Sequence, residues 1–199
     1  MALEQVRASR SQPAVVFTLI FEPFQLQPAM PATADRQVWS LQHKHLDSAA
    51  GQAIYQDYVG TLAAAAGATL RFDGPVGNTL HAHRVMQHLQ STEGPETANR
   101  LVDALYRLYF CEAKHPAADD TLMEACVEAG VNEADAREVV RNKALGEKEL
   151  RTQLRTVASD VDAVPVVRVE GRRRDITLIG AKEVEAYVKA LETVIKESS

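Results

Sequence analysis

The feature that most constrains this fold is a long gap between two stretches of β-type sequence. Ala14-Val-Val-Phe-Thr-Leu-Ile-Phe21 is a continuous apolar and β-branched run closed by Glu22-Pro23. Apolar residues on both faces predict a buried strand in a covered sheet. The next β-type sequence comes only at residues 164–170, followed by a Gly171-Arg-Arg173 turn and a partner strand over 175–179. Gly180-Ala181 then opens a final helix whose stripe is Val184, Tyr187, Val188, Leu191 and Ile195. Everything between reads as helix. A sheet whose strands are divided by such a block is α/β in class. The expected division is a disordered N-terminus over 1–12, a sheet subdomain from 13–33 and 159–199, and a helical insertion over 34–158.

The helical block is punctuated by turn chemistry. Pro23, Pro28 and Pro31 hold an extended loop after the first strand. Helices are expected over 35–46 and 52–66, the second stopped by Gly67. Asn78-Thr79 caps a helix running to residue 89. Pro95 opens another, reaching residue 114 and ended by Pro116. Asp119 or Asp120 caps the next, Asn132 the one after it, and a last helix covers 147–158.

Composition narrows the function classes. With 199 residues, 46% of them hydrophobic, the chain can bury one sizeable core. Its 27 acidic and 22 basic residues give a net charge of −5, which does not fit a broad nucleic-acid footprint. The one basic run, Arg172-Arg173-Arg174, reads as a solvated hairpin tip. No apolar run approaches the ~20 residues that span a bilayer. The opening residues hold Arg7 and Arg10 but no apolar signal core, so a cytoplasmic location is expected. Cys111 and Cys126 form no Cys-x-x-Cys pair and read as reduced, packed helix thiols.

The order Glu22-Pro-Phe-Gln-Leu26, Asn78-Thr-Leu-His-Ala-His-Arg84, Leu105-Tyr-Arg-Leu-Tyr-Phe110, Val164-Pro165 and Gly180-Ala181 resembles the DsbA-like thioredoxin-fold family. It looks closest to the FrnE-like branch, related to 2-hydroxychromene-2-carboxylate isomerase and kappa-class glutathione transferase. The resemblance implies a thioredoxin-like sheet with a large all-helical insertion. It implies that Pro165 is the family's cis-proline, with Val164 offering its backbone to a thiol ligand. It also implies a departure. The run at 14–21 matches the family's second strand, and nothing ahead of it supplies the first strand, the helix, or the turn that carries Cys-x-x-Cys or a catalytic serine. The pattern fits both a chain that has lost this unit and a longer chain whose opening segment carries it. A sheet edge left uncovered in this way would favour a homodimer.

Candidate site residues follow from chemistry and from the resemblance. His43-Lys-His45 and His81-Ala-His83 are poor helical metal pairs, because i and i+2 point apart, so no metal is expected. His83 leads as general acid or base, with Asn78 assisting, against local packing as the plain reading. His81 is expected to be more exposed and less well placed. Phe24, Gln25 and Thr79 are candidate ligand contacts, as Trp39 and Tyr106 are candidate walls. The resemblance adds Val164, Pro165, Gly180 and Ala181. The expected function is a redox-inactive family member turned to acid–base chemistry on an aromatic or polyketide-like metabolite, without a cofactor. A glutathione-dependent isomerase or transferase and a non-catalytic binding scaffold are the alternatives.

Overall fold

A computed structural model describes residues 1–8 and 15–198. The chain divides into two compact units, one built from residues 20–154 and the other from 1–19 with 155–199. No helix among the described residues is long and apolar enough to cross a membrane.

In the unit 20–154, local chemistry starts the elements. Asp35 follows Ala34 in a short strand, β1 (Ala34–Asp35), and its carboxylate accepts from the Val38 N–H to begin α2 (Arg36–Lys44). Ser48 does the same for α3 (Ala49–Ala65) through the Gly51 N–H. β1 pairs antiparallel with β2 (Pro75–Val76), Ala34 opposite Val76. Four helices then build the core: α4 (Leu80–Thr92), α5 (Pro95–Tyr106), α6 (Asp119–Glu128) and α7 (Glu133–Arg141). Their apolar faces meet at Val85, Leu101, Leu122, Cys126 and Val140, joined by Leu108 from the turn after α5, all fully buried. α8 (Glu147–Asp160) adds the fully buried Leu150.

Several expected elements are shifted for identifiable reasons. The helix expected over 95–114 leaves α-geometry at Arg107, where a π-turn runs over Arg107–Cys111. Thr79 holds the N-cap position of α4 without a side-chain bond, and Asn78 before it supplies the acceptor, its Oδ1 receiving the Leu80 N–H at 2.9 Å. Ala118 stands at the start of α6, so neither Asp119 nor Asp120 is the cap there. Asn132 does cap α7, accepting from the Ala134 N–H.

The apolar run expected as a buried strand is the largest correction. Ala14 lies outside the described residues, and 15–21 form no ladder. Val16, Leu19 and Ile20 are exposed. Side chains substitute for a neighbouring strand at the end of the run. Gln90 accepts from the Phe21 N–H at 2.9 Å, and Gln87 and Gln90 both donate to the Phe21 carbonyl, at 2.6 and 3.0 Å. These bonds, with those that Asn78 makes further on, draw 20–33 into the helical unit rather than into the sheet subdomain expected over 13–33.

The other unit holds the hairpin of β3 (Val166–Val169) and β4 (Ile176–Ile179), in register Val166 to Ile179 and Val169 to Ile176. α9 (Val184–Ser198) starts three residues after the expected opening at Gly180-Ala181. Gly180 takes a positive φ of 78°, which turns the chain away from β4 before the helix can begin. α1 (Ala2–Ala8) packs on α9, although this stretch is expected to be disordered and no helix is expected ahead of the apolar run. Val6, Val169, Ala190, Leu191, Val194 and Ile195 close this second core. The Val164–Pro165 peptide bond is cis.

Because Leu101 is fully enclosed by the four-helix core, Leu101→Ala is expected to lower the unfolding free energy by about 2–5 kcal/mol. Urea titration should show a lower midpoint with an unchanged slope.

Candidate functional site

The N-terminus of α4 is held in place before any chemistry is considered. Asn78 Oδ1 accepts from Gln25 Nε2 at 3.0 Å as well as from the Leu80 N–H. Its Nδ2 donates to the carbonyls of Pro28 and Met30, at 2.9 and 3.3 Å, and its backbone N–H donates to Pro31. This uses the full bonding capacity of the amide. The Asn78 side chain therefore clasps the proline-held loop onto the helix.

His115 fastens the same loop from the other side. Its Nδ1 accepts from the Ala117 N–H at 3.1 Å, which leaves Nε2–H to donate to the Ala32 carbonyl at 2.9 Å. The approach is tight enough that a Cβ at Gly77 would collide with both Ala32 O and His115 Nε2. Glycine is required there by space alone.

Between these fastenings lies a cleft of about 350 Å³ whose lining includes Asn78, His81, Arg84, His115, Lys143 and Glu147. His81 is the imidazole in its wall with a carboxylate partner. The Arg84 guanidinium, which can only donate, lies 3.2 Å from His81 Nδ1. Nδ1 is therefore the unprotonated nitrogen, and Nε2–H donates to Asp119 Oδ1 at 3.2 Å. The imidazole side chain is 15% exposed. Burial is the main cause holding its pKa below the ordinary value; Arg84 and Lys143 push the same way, and Asp119 opposes them.

Arg84 is 3% exposed and crosses the base of this arrangement. It donates to Leu145 O at 2.7 Å and to Val139 O at 2.5 Å, in the last turn of α7. A guanidinium at a helix C-terminus meets both orphan carbonyls and the negative end of the helix dipole. Its Nε is buried and makes no hydrogen bond. Lys143 Nζ lies 3.8 Å from Asp119, and the Glu147 carboxylate is held by Arg151 at 2.7 Å. The cleft thus combines an imidazole base, a carboxylate behind it and two cations.

The sequence-expected residues divide around this cleft. Asn78 lines it; His83, Phe24, Gln25, Thr79, Trp39 and Tyr106 do not. His83 is partly buried and hydrogen-bonded to the Phe24 backbone, with burial the larger influence and its pKa below the ordinary value. Trp39 stacks on His43 at 4.7 Å, and Tyr106 is 62% exposed. In the other unit, the Gly180 N–H donates to Pro165 O at 2.9 Å, so the Val164–Pro165 and Gly180–Ala181 segments are neighbours. Cys111 and Cys126 are free, and burial raises the Cys126 thiol to about 12. Among the described residues no three His, Cys, Asp or Glu side chains form a metal-binding group.

Sequence reasoning missed Arg84, Asp119, Lys143 and His115 as a group. One signal was local: His81 and Arg84 stand at i and i+3 on one helix face. The others come from distant segments and left no periodic trace.

A family model for the DSBA-like thioredoxin domain matches residues 1–192. The chain belongs to the DSBA-like thioredoxin family. The structure of this DSBA-like protein is similar to the crystal structure of a probable DsbA oxidoreductase from Streptomyces coelicolor, with a TM-score of 0.75 at 23% identity, over 98% of this chain and 82% of that one. No curated protein matches the sequence. Membership accounts for the thioredoxin-like class and for the helical insertion.

Both His81 and His83 sit below the unperturbed histidine value of 6.5. On acidification the unfolded chain therefore binds protons first, and stability present at neutral pH is lost as pH falls below about 6.5. The melting temperature is expected to be level above about pH 7 and to fall towards pH 5. His83→Gln should make that fall shallower; an equally steep profile would mean that His83 is solvated in the folded chain.

Proposed function

We propose that this DSBA-family protein is an acid–base enzyme acting on a small anionic organic molecule in the helical-unit cleft. The supporting observation is the His81–Asp119 pair in a cleft wall that also carries Arg84 and Lys143. A neutral imidazole is the competent form of a base near pH 7, and burial keeps His81 in that form. Asp119 fixes the tautomer and stabilises the imidazolium once a proton arrives. His81 thus takes the proton-transfer role that sequence reasoning gave to His83, with Asn78 as the residue that fixes the cleft's edge.

The reaction class follows from one mobile proton. A C–H proton beside a carbonyl moves to His81 Nδ1, displacing its 3.2 Å contact with Arg84. Returned to a neighbouring carbon it completes an isomerisation; delivered to a departing hydroxyl it completes a dehydration. Lys143, whose ion-pair distance to Asp119 is a loose 3.8 Å, is the cation that would receive the substrate's anionic group. Aromatic and polyketide-like carboxylates fit this chemistry and the resemblance to the FrnE-like and isomerase branch.

A second reading has its own observation. The Gly180 N–H to Pro165 O bond sets the Val164–Pro165 and Gly180–Ala181 segments side by side, with Val164, Pro165 and Ala181 exposed. That arrangement suits an extended thiol ligand such as glutathione. Saturable glutathione binding abolished by Ala181→Glu, and unaffected by His81→Gln, would favour it over the cleft.

The deciding experiment is proton–deuterium exchange in D₂O, followed by NMR on a panel of aromatic and polyketide-like carboxylates. Exchange needs proton abstraction alone and no identified product. At least one compound is expected to exchange with the wild-type protein, about 100-fold or more slowly with His81→Gln, and near the wild-type rate with His83→Gln. Undiminished exchange in His81→Gln, or no exchange across the panel, contradicts the proposal.

A further inference from the structure

α3 leaves its largest apolar side chains in solvent. Its inward side carries Gln52, which is buried and donates to the Gln37 carbonyl at 2.9 Å, and Gln56, which reaches the Gln37 side chain, beside the half-buried Val59 and Ala63. Its bulkiest residues face out. Ile54 is 72% exposed, Tyr58 63% and Leu62 54%. These three stand at i, i+4 and i+8 and form one continuous stripe. Asp57, the only charged residue of the helix, flanks the stripe beside Tyr58, and the exposed Thr61, seven residues after Ile54, shares the same side.

The stripe also has a symmetry that an arbitrary apolar patch lacks. Gly51, Ile54, Tyr58, Leu62 and Ala65 are spaced by three, four, four and three residues. Read from either end they run small, aliphatic, aromatic, aliphatic, small. If a second α3 crosses it antiparallel about a twofold axis at Tyr58, Ile54 meets Leu62 of the other copy and Gly51 meets Ala65. A twofold interface requires that self-matching: residue i contacts j, and j contacts i. The small residues at both ends allow the helix backbones to close to ordinary packing distance.

We propose that this face of α3 is the docking surface for a second copy of the chain, paired antiparallel across Tyr58. The stripe itself carries no charged side chain, which suits an apolar copy better than a charged partner, and the only charge of α3 is Asp57 at its edge. Area sets the strength. With an aromatic side chain able to bury roughly 150–250 Å², the exposed parts of Ile54, Tyr55, Tyr58 and Leu62 supply on the order of 400 Å² per copy. A total near 800 Å² lies below the ~1,200 Å² of a standard specific interface, so the dimer is a weak, reversible one. This pairing is independent of the acid–base reading of the cleft.

Site-specific cross-linking tests the face and the register together. In a Cys111→Ser background, which removes the partly exposed native thiol, Tyr58→Cys places a thiol opposite its own copy. Ile54→Cys places the two thiols eight residues apart along the pair, about 12 Å by helical rise, too far for a disulfide. Mild oxidation should convert most of Tyr58→Cys to covalent dimer and less than about one-tenth as much of Ile54→Cys. Sedimentation equilibrium should show the wild-type chain dimerising at roughly 100 µM, with a dissociation constant raised at least tenfold by Tyr58→Asp. Because Tyr58 is exposed, that variant should keep its melting temperature. A monomeric wild type, equal cross-linking at both positions, or a dimer indifferent to Tyr58→Asp would overturn the proposal.

Discussion

The guanidinium of Arg84 connects the parts of the helical unit that form the cleft. It reaches the last turn of α7 at Val139, the turn before α8 at Leu145, and the ring of His81 on its own helix. A buried guanidinium needs partners for most of its donors, and carbonyls at the C-terminus of α7 and in the turn after it satisfy both terminal nitrogens of Arg84, leaving only Nε without a bond. The cost of burying Arg84 is thus offset by bonds that also fix α7 relative to α4. Once that relation is set, His81, Lys143 and Glu147 face one space, and Asp119 at the start of α6 falls within reach of the His81 ring.

The same charge sets the chemistry of its neighbour. Arg84 donates to His81 Nδ1 and thereby selects the tautomer whose other nitrogen points at Asp119. Desolvation and the nearby cations hold the ring neutral, while Asp119 waits to stabilise its charged form. Two opposing influences on one imidazole are what a proton shuttle needs. His83, two residues away, has the burial without the carboxylate, and its hydrogen bond goes to backbone. Two histidines on one helix therefore differ in their partners, one facing a carboxylate in the cleft wall and the other a backbone group.

Sequence made the class of the fold legible through the wide gap between its β-type stretches and through the order of its motifs. It also showed local caps, since Asn132 needs only a side chain and the next N–H groups. It misjudged 14–21, because a run of Val, Ile and Phe carries no sign that Gln87 and Gln90 will bind its backbone at Phe21. It took Asp119 for a possible cap, because His81 lies 38 residues away and is invisible to any local pattern. Arg84 stood only as the end of the Asn78–Arg84 motif, and nothing local to it shows that the carbonyls at Val139 and Leu145 will receive its guanidinium. Long-range pairing of polar side chains was the information the sequence withheld.

A neutral His81 held between Arg84 and Asp119 is the state on which the proposed chemistry depends, and imidazole nitrogen NMR reads that state directly. In the ¹⁵N-labelled protein, the His81 ring is expected to carry its proton on Nε2 at pH 7 and to titrate below 6.5, the value of an unperturbed histidine. Asp119→Asn should lower that titration point further, and Arg84→Lys should disturb the tautomer. A His81 ring that titrates at or above 6.5, with both tautomers populated, would contradict the arrangement and leave the cleft without its base.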